Sequence, residues 1–453
     1  MVPKYLVGNQ VATTPLMTSG QQFFRIRPPF FLSVPIFQFA IFYNMDMEIC
    51  PGSNMTVNGK THVNGNVWAD PGSGATLTFG DRMETTASNI FYTRSPNDQQ
   101  ASTLNPQVVY LDTNSPILNA AAATLPTGTN GTASAAFILD LPPPGIDPNS
   151  LIGQQYLYNQ ADIIISNSAS GIISVFYQNR NNVNQLTYIP YDVTNIVAGV
   201  STNYSYSFVT NVSFYDYRES DTANAVQFDV GKFNAWLSGN GAIYNSQNNN
   251  GSTSKGHSIN SVYVYSSVSL SPTNLPAVRV VNGSVQPTQG LTIVTPFPIY
   301  VLGNYNASAS DLGTTNVADT APAALLGDAV TVLSSNWKDS YTSTTALSSR
   351  PAANTTINAA TLEGMVPSVT VNGTKHFSGG VENFLRLLEN WSPATVLTYN
   401  GSIVVMFNSR YATNFWQTPG NYYNVPTRFW GFDVNFKNQN KLPPLTPVVT
   451  TIR

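Results

Sequence analysis

Charge is what this chain has least of. Its 453 residues include 20 Lys or Arg and 23 Asp or Glu, 9% of the total, where ordinary soluble domains carry about 25%. Net charge is -3 and the basic residues are scattered. Neither an electrostatic footprint for nucleic acid nor a Lys/Arg cluster for anionic lipid is visible. Cysteine is nearly missing too. Cys50 stands alone, which excludes an intramolecular disulfide and cysteine-rich zinc sites and reads as one buried thiol. No apolar run reaches the roughly 18 residues of a membrane-spanning helix. Phe30–Tyr43 (FFLSVPIFQFAIFY) is apolar but interrupted by Pro35 and Gln38, so it is expected to form buried strand. The first residues (MVPKYLVGN) lack the basic and apolar regions of a signal peptide. An export address is therefore expected to lie elsewhere, with Met1 an internal start or a trimmed end.

What the chain does have is asparagine, 49 of them, more than all four charged types together. With 42% hydrophobic and 11% aromatic content there is ample material for a core, so disorder is excluded. The expected surface is polar through Asn, Ser, Thr, Gln and Gly, as in exported proteins. Strand chemistry dominates, as in VQFDV, INSVYVYSSVSL, GLTIVTPFPIYVLG and GSIVVMFNS. Asn-Gly at Asn58, Asn64, Asn130, Asn240, Asn250, Asn282, Asn372 and Asn400 predicts tight turns with positive φ. Two of these lie six residues apart within Asn54–Ala69, a bending rate that suits the turns of a β-solenoid. Gly80–Ile90 (GDRMETTASNI) echoes Gly327–Trp337 (GDAVTVLSSNW) without gaps, and predicts two equivalent turns stacked on each other. Helices are expected in three places: Asp147 to about Tyr158, Val230–Leu237, and Val381–Trp391, whose Phe384, Leu387, Leu388 and Trp391 share one face. Gly379-Gly380 and Ser392-Pro393 bound the last of these. Ser95–Pro144, with its TGTNGT and triple-proline stretches, reads as loop, Asn245–Gly256 as a mobile loop tip, and Ser308–Ala321 as an interruption.

Candidate chemistry is sparse. His62, His257 and His376 share no metal-ligand spacing. His62 and His376 both follow an Asn-Gly and read as turn-associated polar residues. The densest charge cluster is Tyr215–Asp221, where Asp216, Arg218, Glu219 and Asp221 offer a carboxylate pair beside an arginine, the groups used in glycan acid/base chemistry. Strand alternation divides them between two faces, so a structural Asp216–Arg218 ion pair is the competing reading. Hydrolase-elbow, dinucleotide and phosphate-loop motifs are absent. An aromatic sugar platform competes with core filling for the 23 Phe, 23 Tyr and 6 Trp. Eleven Asn-x-Ser/Thr sequons occur, about what composition yields. No catalytic, cofactor-binding or metal residue is assigned, and no cofactor is expected.

Longer stretches carry a family resemblance. Phe39–Trp68 (FAIFYNMDMEICPGSNMTVNGKTHVNGNVW), Phe214–Glu219, Phe228–Leu237, Ala277–Gly283, Gly290–Asn306, Ala323–Trp337, Gly379–Phe384, Leu397–Phe407 and Tyr422–Phe436 resemble uncharacterised bacterial envelope proteins of the type IV pilus assembly, minor-pilin-like group. That resemblance implies a β-helical part which in the group follows a pilin-like membrane helix, a helix not found in this chain. It implies no catalytic residue.

The expected fold is mainly β, a parallel β-helix-like solenoid core with a mixed α/β insertion. The expected organisation is a strand-rich segment (1–49), a first part of the core (50–95), a loop or linker (96–146), the insertion (147–258), and the main core with C-terminal strands (259–453). The expected function is that of a non-enzymatic exported envelope or surface structural protein, linked to type IV pilus-like assembly or adhesion. Its partners would be pilus or secretion-machine components or surface glycans, with no nucleic acid and no transmembrane segment. The alternative is a glycan-active enzyme (a polysaccharide lyase or hydrolase) or a carbohydrate-binding adhesin on a β-helix.

Overall fold

Short β-rich runs separated by turn residues can bury both faces only by pairing with distant copies of themselves. They do so here in parallel. The structure, a computed structural model, describes residues 4–7, 10–13, 31–126, 135–179, 186–197, 200–251, 254–391 and 394–452. Strands dominate these residues and helices are few. No helix among them is long and apolar enough to cross a membrane.

An 11-stranded sheet forms the first ladder. From one end it runs Met83–Thr85, Thr61–Val63, Ile41–Tyr43, Ile403–Asn408, Ala360–Met365, Ala323–Leu326, Leu291–Val294, Ser261–Ser266 and Ile163–Asn167, all parallel. Ile173–Gln178 and Leu186–Ile189 then add in antiparallel fashion. After most strands of this ladder the chain turns into a second ladder, made of two separate sheets. There Asp221–Asp229, Leu275–Val281, Ile299–Leu302, Val330–Leu333 and Arg386–Leu387 pair in parallel, as do Met47–Ile49, Val67–Ala69 and Ile90–Phe91. A third ladder holds Thr355–Asn358, Val396–Gly401 and Thr427–Phe432, with a matching set of Met55–Val57, Thr76–Phe79 and Gln107–Tyr110. The first ladder draws strands from nearly the whole length of the chain.

Parallel strands buried on both faces read as continuous apolar runs. Leu291–Val294, Ala323–Leu326 and Val330–Leu333 are buried at every position. Outer cover on the first ladder comes from irregular segments: the Tyr263 hydroxyl donates to Leu139 O (2.8 Å) and the Thr292 hydroxyl to Pro444 O (2.6 Å). Ala136, Ile138 and Leu139, in the 3-10 turn Ala135–Leu139, are buried in the same core.

Asparagine supplies the stitching between successive passes. Asn306 and Asn358 exchange side-chain amide to backbone carbonyl bonds (2.8 and 2.9 Å), and Asn400 Nδ2 donates to Asn358 Oδ1 (2.8 Å). Asn64 Nδ2 donates likewise to Asn44 Oδ1 (2.8 Å) and Asn424 Nδ2 to Asn390 Oδ1 (2.8 Å). Such bonds satisfy buried amides with neutral partners, so few charges are needed. The Asn-Gly pairs divide by role. Asn372 (φ 50°) and Gly373 (φ 78°) form a two-residue left-handed hairpin turn between Val369–Val371 and Thr374–His376. Gly401 serves close approach instead, because a Cβ there would overlap Ala359 O. Asn282 also takes a positive φ, whereas Asn58, Asn64, Asn240, Asn250 and Asn400 do not, and Asn130 lies outside the described residues.

Several expectations are corrected. Val381–Trp391 is not a helix: a 3-10 turn at Val381–Asn383 leads into the strand Arg386–Leu387. Its apolar residues are dense enough to fit either period, and pairing with Val330–Leu333 decides. The bounding Ser392-Pro393 lies outside the described residues, as does the TGTNGT stretch. The first half of Asn245–Gly256 is helix (Ala242–Asn250), where Asn248 is buried and donates to the His257 carbonyl (2.8 Å). Asp147–Tyr158 yields only a 3-10 turn at Gly153–Gln155 before a four-residue helix, Leu157–Gln160. Gly80–Ile90 and Gly327–Trp337 do not stack on each other, since Met83–Thr85 lies in the first ladder and Val330–Leu333 in the second. The Phe30–Tyr43 run is split by a 3-10 turn at Ile36–Gln38 that follows Pro35. The helix Val230–Ser238 forms as expected, capped by the Asp229 side chain accepting from Lys232 N. Cys50 is buried, and desolvation pushes its thiol pKa up.

Candidate functional site

The charge cluster singled out in sequence is brought together, but as a buried clasp. The strands Val209–Asp216 and Asp221–Asp229 form a hairpin whose tip, Tyr217–Ser220, folds over the outer side of the second ladder. Asp216 accepts from the backbone amides of Arg218 (2.7 Å) and Glu219 (2.9 Å) and from the Tyr300 hydroxyl. The expected Asp216–Arg218 ion pair does not form. Glu219 pairs instead with Arg386 (2.9 Å), which lies 167 residues away, and Arg218 Nε donates to Asn414 O (3.3 Å). Alternation does not apply within a turn, and Ser220 takes a positive φ of 55°. Asp216, Arg218 and Glu219 are all buried. Burial raises the Glu219 carboxyl pKa against the pull of Arg386. Asp221 caps its own strand through Thr222 N (2.6 Å).

The histidines are separate. His62 is buried mid-strand, stacked on Phe42 (5.4 Å), with Nδ1 against Glu84 and Nε2 against Asn64, both at 2.9 Å. Burial alone would raise Glu84, but hydrogen bonds from His62 and Arg82, with their charges, bring it down to about 2. His376 stacks on Phe415 at 3.9 Å. His257 lines a cavity of about 630 Å³ with Lys255, whose ammonium is held by buried Asp162 at 2.9 Å. Among the described residues no three His, Cys, Asp or Glu side chains converge as a metal site.

An open recess with ligand-like chemistry lies elsewhere, on the outer side of the second ladder. Alternation in Val67–Ala69 sends Val67 and Ala69 into the core and Trp68 outward. Register places Trp68 between Glu48 and Phe91 on neighbouring strands. The Phe91 ring stacks on Trp68 (5.6 Å, 18°). The recess that Trp68 borders has a volume of about 400 Å³, within the ordinary range for small-molecule sites, about 300–1,000 Å³. One wall is Asp46, Asn64 and Gly65, and the other is Met365, Pro367 and Asn408. Ser368 and Ser378, at the base of the Asn372-Gly373 hairpin, donate to Glu48 Oε2 at 2.8 and 3.0 Å. Burial nevertheless raises the Glu48 pKa against these hydroxyls. Asp46 is exposed and uses Oδ1 to hold Asn66 N (2.7 Å). Sequence reasoning does not single out Trp68, because a lone aromatic in a short apolar strand reads as core. The alternation Val-Trp-Ala is the signal that points it outward.

Neither a family model, a curated protein nor a solved structure corresponds to this chain. The recess and the clasp therefore stand on their own chemistry.

Proposed function

We propose that the three ladders are the faces of a parallel β-helix, and that the protein is a non-enzymatic structural component of a bacterial envelope or cell surface. Its role would be in adhesion or in the assembly of a type IV pilus-like machine. The observation that carries this reading is the way the fold is held together. Successive passes are joined by amide-to-amide and amide-to-carbonyl bonds such as Asn306–Asn358–Asn400. Cohesion of this kind is neutral and therefore little affected by salt, unlike surface ion pairs, and it suits a protein working outside the cell. The densest charge cluster is committed to anchoring a hairpin, which supports a structural role for it over acid/base chemistry. The resemblance to minor-pilin-like envelope proteins points the same way.

Cell fractionation of the native product tests the placement. It is expected in envelope or culture-supernatant fractions, and a purely cytosolic product would overturn the reading. A panel of polysaccharides incubated with the purified chain is expected to show no turnover, whereas new reducing ends or unsaturated products would favour a glycan-cleaving enzyme.

A further inference from the structure

We propose that the Trp68 recess is a binding subsite for one neutral pyranose unit of a surface saccharide. It deepens the adhesion reading and rests on it for biological use, but the chemistry is local to the recess. A pyranose has a face of C–H groups and a rim of hydroxyls. A site for it needs an apolar plate beside a few fixed polar groups.

Trp68 supplies the plate. Phe91 stacks on it from the strand on one side, and Glu48 lies beside it on the other, toward the recess. The indole Nε1 has no hydrogen-bond partner among the described residues, so the same side chain offers a donor at its edge. Asp46 spends only Oδ1 on Asn66, leaving Oδ2 as an acceptor. Asn408, exposed at the rim, keeps a free amide for the paired donor and acceptor contacts that vicinal hydroxyls make. Other groups around the recess are committed to holding its shape. Asn64 bridges Asn44, His62 and Ala123, and Asn97 ties Ser368 O and Thr370 (3.2 and 3.0 Å). The recess is therefore built before a ligand arrives, which lowers the cost of ordering on binding.

Charge selects within the sugar class. Two carboxyl side chains, Asp46 and Glu48, line the recess, and no Lys or Arg does. A uronic or sialic acid would meet like charge without a basic partner, whereas a neutral hexose or N-acetylhexosamine would not.

The test is saturation-transfer NMR on the purified full chain. The panel is glucose, galactose, mannose, N-acetylglucosamine and their short oligomers, with glucuronate and choline as comparators. At least one neutral sugar is expected to bind at roughly millimolar Kd or tighter. Trp68→Ala should weaken it by at least about tenfold, as one lost anchor contact implies. Asn408→Ala and Asp46→Asn should weaken it less, with unchanged melting curves. Asn408→Ala and Asp46→Asn alter exposed side chains and carry the test if Trp68→Ala fails to fold. Absence of binding by every neutral sugar, binding unchanged in these variants, or binding of choline or glucuronate alone would overturn the proposal. A cytosolic native product would defeat the envelope reading and leave the subsite standing. Failure of the sugar panel would do the reverse.

Discussion

Asn358 shows at the scale of one residue why this chain is rich in asparagine. Its amide donates to Asn306 O, its Oδ1 accepts from Asn400 Nδ2, and its own carbonyl receives Asn306 Nδ2. All three residues are buried, and a buried amide or carbonyl left without a partner costs about 1–3 kcal/mol. Asn358→Ala orphans the Asn306 carbonyl and leaves Asn400 Nδ2 with Thr314 O alone, and is expected to destabilise by about 1–3 kcal/mol, read as a shift in the denaturant midpoint at unchanged slope. A shift within about 0.5 kcal/mol, typical of surface positions, would show that these bonds are replaced by water. The amide count was plain in the sequence, but its meaning was only partly legible. Asn-Gly pointed to tight turns, which holds for Asn372-Gly373. That Asn306, Asn358 and Asn400 stack could not be read, because their separations of 52 and 42 residues depend on loops of unequal length. The same holds for Glu219 and Arg386: the sequence shows a carboxylate beside Arg218, and only the fold shows that its partner is a different arginine. Trp68 was legible in direction, through alternation, but the wall formed by Met365, Pro367 and Asn408 was not.

Among the elements, the join between the two ends of the chain matters most. Ile41–Tyr43 pairs in parallel with Ile403–Asn408. Ile403 N donates to Ala40 O (2.8 Å), and the buried Ser402 hydroxyl donates to Phe39 O (2.6 Å). Phe31–Pro35 and Val448–Ile452 close a second, antiparallel pair. Residues 41–110 thus extend the first ladder beyond its C-terminal strand rather than before its N-terminal one. Removing residues 1–126 would strip one edge from Ile403–Asn408, where Val404, Val405, Met406 and Phe407 are buried. An unpaired apolar edge strand is a template for association. The truncated chain is expected to self-associate in light scattering at concentrations where the full chain does not. A monodisperse truncated protein of full thermal stability would show that the join contributes little. Strand content was readable from Val/Ile/Thr runs, and the helix Val230–Ser238 from its Asp229 cap. The join was not readable, since nothing local at Ile41 names residue 403. Val381–Trp391 misled for a related reason: a segment covered on all sides is apolar at every period, and periodicity then carries no information.

For the molecule as a whole, scarce charge has a consequence for pH. Several of the few carboxylates are placed inside. Burial raises Glu382 to about 7, against hydrogen bonding from Cys50 N and its own amide. It also raises Glu389 to about 7, against the Ser334 amide and hydroxyl, and Asp433 to about 6, against bonds from Asn435 and Thr320. In the unfolded chain these groups titrate near their ordinary values, about 3.9 for Asp and 4.3 for Glu. Between about pH 4 and 7 the folded protein therefore holds more protons than the unfolded one, and stability must fall as pH rises through that window. For each glutamate the difference corresponds to about 4 kcal/mol as an upper figure, at about 1.36 kcal/mol per pH unit. Glu84 acts in the opposite sense: lowered to about 2, its contribution is present above its ordinary value and is lost as pH falls toward 2. The two trends set a stability maximum near pH 4 rather than at neutrality. Thermal melts are expected to show Tm falling by about 5 °C from pH 5 to pH 8, given the large unfolding entropy of a chain this long. Glu389→Gln, which keeps an acceptor for Ser334 without an ionisable group, should flatten that slope and raise Tm at pH 8 while changing it little at pH 5. A Tm that is level or rises between pH 5 and 8, or a slope untouched by Glu389→Gln, would mean that these carboxyls ionise without cost and that water or a cation reaches them. The neutral amide stitching predicts a separate signature in the same melts: raising salt from about 0.05 to 0.5 M should move Tm little at any pH, since screening acts on exposed charges and hardly on buried hydrogen bonds.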